Sequence, residues 1–323
     1  MENMTTQQTT TGYQPIVPRK QKMALSRKLF IIGMLAYPII HFLVFFIYIN
    51  FNTIILSFQR FSYMQGKEVF TGFKHYISFF KLIAEGDSVL MFSIQNSLWF
   101  FVFNNFILLP ISILFAYLLF KKVFAEKVFR VIFFLPNIIS IVALTMCFRY
   151  MFHGTMGPIS SIMGSLGVEL PAEGLLEAPD TAQFMVFAYC LWAGIGYNVL
   201  LLSGSIARIP TEILEAGKID GIGMGREFIQ IVVPLIMGTV STLFVTGSMV
   251  MFTLYLQPML LTGGGDIGKI GNTRTIAWYI IDLVNADSLN SAAAIGIVVS
   301  IVGIPIVQGI KAIMEKISPV VEF

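Results

Sequence analysis

Charged residues are scarce in this chain of 323 residues, because aspartate, glutamate, lysine and arginine together make up only 12% of it. Hydrophobic residues make up 56%, which is more than a water-soluble domain can carry without exposing an aggregating surface. The formal net charge of +3 gives no reason to expect a nucleic acid as a partner. These values disfavour a soluble domain and a nucleic-acid-binding protein, and they indicate lipid as the solvent of the chain.

Cysteine and histidine are also rare, with two and three residues. Cys147 and Cys190 both fall inside long apolar stretches, where neither a disulfide framework nor a metal cluster is expected. A membrane enzyme would need paired acids, a Ser/His/Asp set or metal ligands near the membrane surface, and three scattered histidines form no such cluster. We therefore expect no catalytic residue, no metal site and no cofactor in this chain.

Six stretches of the chain contain no aspartate, glutamate, lysine or arginine and are long enough to cross a bilayer. A transmembrane helix needs about 20 apolar residues, and the strict alternation that marks barrel strands is absent. Helices satisfy every backbone group in lipid, so the sequence predicts an all-α integral membrane protein with six transmembrane helices. The six stretches lie between Lys28 and Arg60, Asp87 and Lys121, Arg130 and Arg149, Asp180 and Arg208, Glu227 and Asp266, and Asp287 and Lys311.

Positive charge is distributed unevenly between the two ends of these stretches. Lysine and arginine are enriched in the cytoplasmic loops of membrane proteins. If the N-terminus is inside, 14 of the 21 lysines and arginines lie on the cytoplasmic side, and the outer segment from Tyr150 to Phe184 contains none. Both termini are therefore predicted to be cytoplasmic.

The stretches divide the chain into four predicted parts. Residues 1–28 form a cytoplasmic N-terminal tail without a cleavable signal, and residues 29–91 form the first span and an outer loop. Residues 92–314 form a five-helix core, and residues 315–323 form a cytoplasmic C-terminal tail. In the outer loop, the amphipathic pattern of residues 73–83 is expected to lie along the membrane surface.

Residues 208–234, between the fourth and fifth spans, are predicted to contain a short cytoplasmic helix. Pro210 suits the first turn of a helix, and Gly221 is the first of three closely spaced glycines that end it. A helix of about three turns is marginal alone and needs tertiary support. The small and apolar residues of one face, which we expect to enter a cleft of a partner, are Ile209, Ile213, Ala216 and Gly217.

The spacing of residues within this segment is its most specific feature. Glu215, Ala216 and Gly217 are followed by Asp220 and Gly221, and then by Ile231, Val233 and Pro234. The segment resembles the EAA loop of permease subunits of binding-protein-dependent ABC importers, with glycine for the second alanine and valine for a leucine. The Asp220–Gly221 pair is similar to the carbohydrate branch, and further likeness to MalF-like, maltose-type permeases runs from about residue 50 to the C-terminus.

This resemblance implies a type I ABC importer permease (MetI-like) fold in the bacterial cytoplasmic membrane. It also implies a heterodimer with a second, MalG-like permease, two ATPase subunits that bind ATP and Mg, and an extracellular or periplasmic solute-binding protein that delivers a sugar. In such importers the EAA helix couples closure of the ATPases to movement of the membrane helices. The residues that match this coupling motif are Glu215, Ala216, Gly217, Asp220, Gly221, Ile231 and Pro234.

The resemblance also suggests where a sugar would touch the chain. Gly194 and Tyr197 match positions that contact sugar in the maltose system, and Asn198 lies beside them. In the fifth span the matching residues replace mostly polar or aromatic ones, so either another sugar is carried or the main contacts lie in the second permease. These fifth-span residues are Gly247, Val250, Met251 and Leu254. Helix packing explains the small and aromatic residues equally well.

Two other readings are weighed against a sugar importer. No span has an acidic residue or lysine in its middle, so the ion relay of many secondary transporters is missing, and energy is expected from another subunit. The segment Gly263–Ile270 nearly spells a P-loop, but no hydroxyl follows Lys269. The alternative is the same architecture with a polyol or a glycerophosphodiester as solute, although a phosphate calls for arginine or lysine and the spans offer only Arg149.

Overall fold

The computed structural model describes residues 25–62, 66–123, 126–167, 171, 174–262 and 273–317. Most of the predicted N-terminal tail (1–24), most of the predicted C-terminal tail (318–323) and the glycine-rich P-loop-like segment (263–272) lie outside the described residues. The described residues form two compact units, which divide between Thr53 and Ile54.

The first unit consists of one apolar helical run. Helix α1 (Leu25–His41) continues through a π-helical segment (Phe42–Tyr48) into α2 (Ile49–Ser57), whose last residues belong to the second unit. The 31 residues from Arg27 to Ser57 are long and apolar enough to cross a membrane.

The second unit begins with a small β-hairpin that the sequence did not predict. Strand β1 (Gln59–Ser62) pairs antiparallel with β2 (Lys67–Phe70), with Gln59 opposite Phe70. Helix α3 (Lys74–Glu85) follows and coincides with the amphipathic pattern of the outer loop, because Phe79 is buried while Ile77 and Phe80 are exposed. The prediction of an all-α chain is therefore wrong for this segment, which forms one short hairpin.

Three further helical runs of the second unit are long and apolar enough to span a bilayer. The first contains α4 (Ser88–Phe103), a π-helical segment (Asn104–Leu108) and α5 (Leu109–Phe120). The others are α9 (Pro179–Ile206) and α16 (Leu289–Ile317). Together with the first unit, the described residues contain four such helices.

Two bent helix pairs account for the remaining apolar stretches. Helices α6 (Glu126–Ile138) and α7 (Ile141–Met151) meet at 114°, because Ser140 adopts an extended conformation between them. The second pair, from Met224 to Thr253, bends by 73° beside Ile236. The described residues therefore give six spans only if each bent pair crosses the membrane as one unit.

The second pair consists of several short pieces. Helix α11 (Met224–Glu227), a π-helical segment (Phe228–Val232) and α12 (Val233–Leu235) lead into α13 (Met237–Thr253). The other helices of the chain are short. They are α8 (Pro158–Ser165), α10 (Thr211–Ile219), α14 (Leu256–Thr262) and α15 (Ile276–Asn285).

Prolines explain two of the π-helical segments. Pro110 and Pro234 each follow such a segment within two residues. A proline lacks an N–H, and its ring clashes with the carbonyl group four residues earlier. A wider π-turn relieves this clash without ending the helix, so the chain inserts one extra residue at each place.

The core of the second unit forms where α9 packs against α5 and α6. Its completely buried side chains include Tyr117, Leu202, Ile206 and Val232. The crossing with α6 is very close at Gly196, because a Cβ atom built there would lie 2.0 Å from the carbonyl oxygen of Phe133. This core continues into residues 208–234 through the buried side chains of Ile209 and Leu214.

Candidate functional site

The structure contains the short helix predicted for residues 208–234, which we call the EAA segment. Helix α10 runs from Thr211 to Ile219, directly after Pro210. At its end Gly221 has a φ of 72°, a left-handed conformation that glycine adopts without strain. This turn lets Ile222 donate its N–H to the carbonyl oxygen of Gly217 at 2.9 Å, which closes the helix as a C-terminal cap.

One face of α10 packs against its own chain. Leu214 and Gly217 are buried on this face, and a Cβ atom at Gly217 would lie 2.8 Å from Cδ1 of Ile231. Two residues of the EAA pattern are therefore in direct contact. Of the face expected to enter a cleft of a partner, Ile209 and Gly217 are buried within the chain and support α10, whereas Ala216 is exposed.

The opposite face of α10 is exposed. It combines carboxylates with an apolar side chain, because Ile219, at 86% exposure, lies among exposed acidic and basic residues. Burying an isoleucine that is this exposed contributes about 1.5–3 kcal/mol. The exposed charged residues around it are Glu212, Glu215, Lys218 and Asp220.

An ion pair anchors the C-terminal half of the EAA segment. Glu227 is only 4% exposed, and its Oε1 lies 2.5 Å from Nζ of Lys121 at the end of α5. The hydroxyl of Tyr117, one turn earlier, donates to the carbonyl oxygen of Met224 at 3.1 Å. Sequence reasoning missed this link, and the only signal was that each charge borders an apolar stretch.

The EAA pattern ends at an elbow of the chain. Ile231 lies in the π-helical segment, Pro234 lies in α12, and the 73° bend into α13 follows two residues later. The matching residues thus join the exposed helix α10 to the start of an apolar helix.

A cavity of about 470 Å³ lies between the apolar helices, which is within the usual range of about 300–1,000 Å³ for small-molecule sites. Its walls come from α4, the π-helical segment after it, α5, α9, α13 and the bend between α6 and α7. Six of the seven residues proposed for the substrate path line it, and Met251 does not. These six are Gly194, Tyr197, Asn198, Gly247, Val250 and Leu254.

The family model described as "Binding-protein-dependent transport system inner membrane component" matches residues 108–316, and thus covers the EAA segment and most of the cavity wall. The chain belongs to this family. The resemblance drawn from the EAA spacing is thereby confirmed, and the chain is a permease subunit with the type I importer fold. Permease subunits are not ATPases themselves, since the ATPase of such importers is a separate subunit.

Relatives of this permease match it over most of their length. The "Probable ABC transporter permease protein YurN" of Bacillus subtilis is 28% identical over 277 residues, which are 82% of this chain and 89% of that protein. The "Arabinooligosaccharides transport system permease protein AraP" of Halalkalibacterium halodurans is 27% identical over 269 residues, or 82% and 81% of the two chains.

A solved structure has the same fold. It is the crystal structure of a bacterial alginate ABC transporter in complex with an alginate pentasaccharide-bound periplasmic protein. The match has a TM-score of 0.78 at 20% identity and covers 91% of this chain and 96% of that one.

The cavity of the permease also contains polar residues to which the sequence analysis assigned no role. Asn104 and Asn137 line it beside Thr246 and Gln257. Asparagines in a helix bundle are usually assigned to interhelical hydrogen bonds, so only their position on the cavity wall distinguishes them. Gln257 lines the cavity, while Ser248 is a buried residue of α13 that donates to the carbonyl oxygen of Phe244 in the same helix.

The cavity is lined by apolar and uncharged polar side chains. The described residues that line it include aromatic rings, amides and a threonine, and none of them is an acid, a lysine, an arginine or a histidine. Among the described residues of the whole chain, no group of three or more potential ligands is placed to hold a metal ion. The arrangement can hold an uncharged polar solute.

Proposed function

We propose that this permease forms half of the translocation path of an ATP-driven importer for a sugar or oligosaccharide. The observation that carries the proposal is one continuous structure that links an exposed EAA helix to a cavity lined by uncharged polar and aromatic groups. The named specificity of AraP for arabinooligosaccharides and of the related transporter for alginate supports a sugar as the solute.

The coupling between ATP hydrolysis and the cavity would run through two helices. The EAA segment is bound to α5 by the Lys121–Glu227 ion pair, and it continues through the elbow at Pro234 into α13. Both helices also line the cavity, at Leu109 and at Gly247. A displacement of α10 therefore moves two walls of the cavity, because helices move as nearly rigid bodies.

The membrane arrangement belongs to the same proposal. The chain crosses the bacterial cytoplasmic membrane six times, with each bent pair as one span and with both termini inside. The bias of lysine and arginine supports this orientation. It places the EAA segment in the cytoplasm, on the side where ATP is available.

The proposal requires partner subunits. A second, MalG-like permease completes the path. Two ATPase subunits bind ATP and Mg, and they contact α10 at Glu215, Ala216 and the exposed Ile219. A solute-binding protein outside the membrane delivers the sugar. The alginate transporter forms a complex of this kind with a sugar-bound periplasmic protein. A glycerophosphodiester is not favoured, because the described lining residues offer no cation for a phosphate.

Uptake by the reconstituted transporter tests this function. The permease is assembled in proteoliposomes with the second permease, the ATPases and the binding protein, and uptake of radiolabelled neutral oligosaccharides is measured. We expect uptake only when ATP and the loaded binding protein are both present. Uptake without the ATPase subunits, or a clear preference for glycerol phosphodiesters, would contradict the proposal.

A further inference from the structure

Asn104 lies at the start of a π-turn in its helix. It begins the π-helical segment that precedes Pro110, and it lines the cavity. The extra residue of a π-turn changes the direction in which the following side chains point, and such turns are frequent at functional sites. The neighbouring Asn105 shows the contrast, because it is 2% exposed, its amide donates to the carbonyl oxygen of Phe101 at 3.1 Å, and it does not line the cavity.

The orientation of the Asn104 amide is fixed by its partner. Its Nδ2 lies 3.1 Å from the carbonyl oxygen of Gly247, and a carbonyl oxygen can only accept a hydrogen bond. The NH₂ group must therefore face Gly247, and the amide oxygen is left for another donor. Gly247 makes this contact possible, because a Cβ atom there would lie 2.7 Å from Nδ2.

Asn137 repeats this arrangement on another helix of the cavity wall, α6. Its Nδ2 donates to the carbonyl oxygen of Phe133 at 3.3 Å within the same helix, so its amide oxygen is likewise left as an acceptor. Its neighbour across the helix crossing is Gly196, where a Cβ atom would lie 2.4 Å from Nδ2. Two glycines thus make room for two amides on the wall of one cavity.

The absence of charge among the described lining residues restricts the ligand. A carboxylate or phosphate that enters this cavity would lose its hydration without meeting a cation among the described lining residues of this chain, which is costly. A hydroxyl group can donate to an amide oxygen and needs no counter-ion. The cavity therefore suits a ligand that is rich in hydroxyl groups and free of charge.

We propose that Asn104 and Asn137 form a hydroxyl-binding subsite that selects uncharged sugar rings over uronic acids and phosphorylated sugars. The inference rests on the proposed function, and it separates this permease from its structural neighbour, which carries an acidic polysaccharide. The amide oxygens accept hydrogen bonds from sugar hydroxyls, and Gly247 and Gly196 act as positioning residues for the two amides.

Direct binding to the complete transporter, without its binding protein, tests the subsite. Equilibrium dialysis is carried out with arabinotriose and maltotriose as neutral probes and with trigalacturonate as the charged probe. We expect at least one neutral probe to bind, and trigalacturonate to bind at least ten times more weakly. Asn104→Leu and Asn137→Leu should each weaken neutral binding about 3- to 10-fold, which is the loss of one hydrogen bond.

Asn50→Leu is the matched control. Asn50 also donates Nδ2 to a carbonyl oxygen of its own helix, that of Phe46, but it does not line the cavity. This variant should leave binding unchanged. If Asn104→Leu fails to assemble, Asn137→Leu tests the subsite by itself, because the Asn137 side chain is exposed and its hydrogen bond stays within one helix.

Three results would overturn the subsite. They are unchanged binding in both leucine variants, binding of trigalacturonate as tight as that of the neutral probes, and no binding of either neutral probe. The proposed function is judged separately, because ATP-driven uptake that depends on the binding protein would still support it after any of these results.

Discussion

The ammonium group of Lys121 and the buried carboxylate of Glu227 form an ion pair of 2.5 Å between the end of α5 and the EAA segment. Glu227 is 4% exposed, and the side chain of Lys121 is 21% exposed. Water therefore screens this pair much less than it screens a surface pair. The contact ties the proposed coupling segment to a helix that lines the cavity.

Removing one charge of this pair should destabilise the permease. Glu227→Gln leaves Lys121 without a counter-ion in a mostly buried place, so we expect a loss of about 2–3 kcal/mol in the free energy of unfolding. Thermal unfolding of the purified complex measures this loss. In a double-mutant cycle with Lys121→Met, the double variant should lose less than the sum of the two single variants.

The pair Lys311–Glu315 provides the control for this prediction. Its atoms are 3.7 Å apart, and both side chains are more than half exposed. Glu315→Gln should change stability by less than about 0.5 kcal/mol. Equal effects of Glu227→Gln and Glu315→Gln would show that the buried pair has no special role.

The close crossing of α9 with α6 gives a second prediction. In Gly196→Ala the new methyl group would meet the Phe133 carbonyl oxygen, which is backbone and cannot rotate away. We expect a loss of about 1–3 kcal/mol in stability and a lower yield of assembled complex. Gly204→Ala, on the same helix, has nothing within 4 Å of its Cβ atom and should not destabilise the protein. A stable Gly196→Ala variant would argue against this crossing.

The left-handed turn after α10 gives a third prediction. Gly221→Val places a β-branched residue at a φ of 72°, which strains the backbone by about 1–2 kcal/mol or more although nothing lies within 4 Å of the new Cβ atom. Hydrolysis of ATP stimulated by the loaded binding protein should fall. Gly223→Ala is the control, because Gly223 has a φ of −72° and open space around it. If both variants kept full stimulation, the turn would not matter for coupling.

The aromatic wall of the cavity gives a fourth prediction. Tyr197 lines the cavity and is 58% exposed, so its ring is available to a sugar face. Tyr197→Ala should lower the uptake rate about 3- to 10-fold through the lost aromatic contact, with little change in stability. Phe184 lies on the same helix, is also exposed and does not line the cavity, so Phe184→Ala should leave uptake unchanged. Equal uptake by the two variants would remove Tyr197 from the path.

Local chemistry made the EAA helix predictable from sequence. Pro210 and Gly221 restrict the backbone at the two ends of α10, and neither depends on distant contacts. The face of the helix was harder to assign. Gly217 was correctly assigned to an apolar stripe, but the chain buries Leu214 beside it and leaves Ala216 exposed, because Ile231 packs against the side of Gly217.

Contacts between residues far apart in the chain could not be predicted from the sequence. Counting residues along the fifth span correctly gave Gly247, Val250 and Leu254 as cavity residues, because helical spacing puts these three on one stripe of α13 and its end. Met251 lies beside that stripe and does not line the cavity. Asn104 could not be placed, because a π-turn changes the register of its helix and the turn arises from Pro110 further along the chain. The ion pair of Lys121 joins residues 106 positions apart in the chain.

Cross-linking from the exposed face of α10 tests the central claim most directly. Ile219→Cys is introduced into a chain in which Cys147 and Cys190 are replaced by alanine, and the assembled transporter is treated with a maleimide–benzophenone reagent, whose maleimide bonds to the new thiol and whose photoactivated ketone inserts into a C–H bond of the neighbouring subunit. The account predicts a cross-linked product of the permease with the ATPase subunit, and none from Ile162→Cys, a position on α8 that is also exposed, at 59% against 86% for Ile219. If Ile219→Cys gave no cross-link to the ATPase subunit in a complex that still hydrolyses ATP, the result would contradict the account.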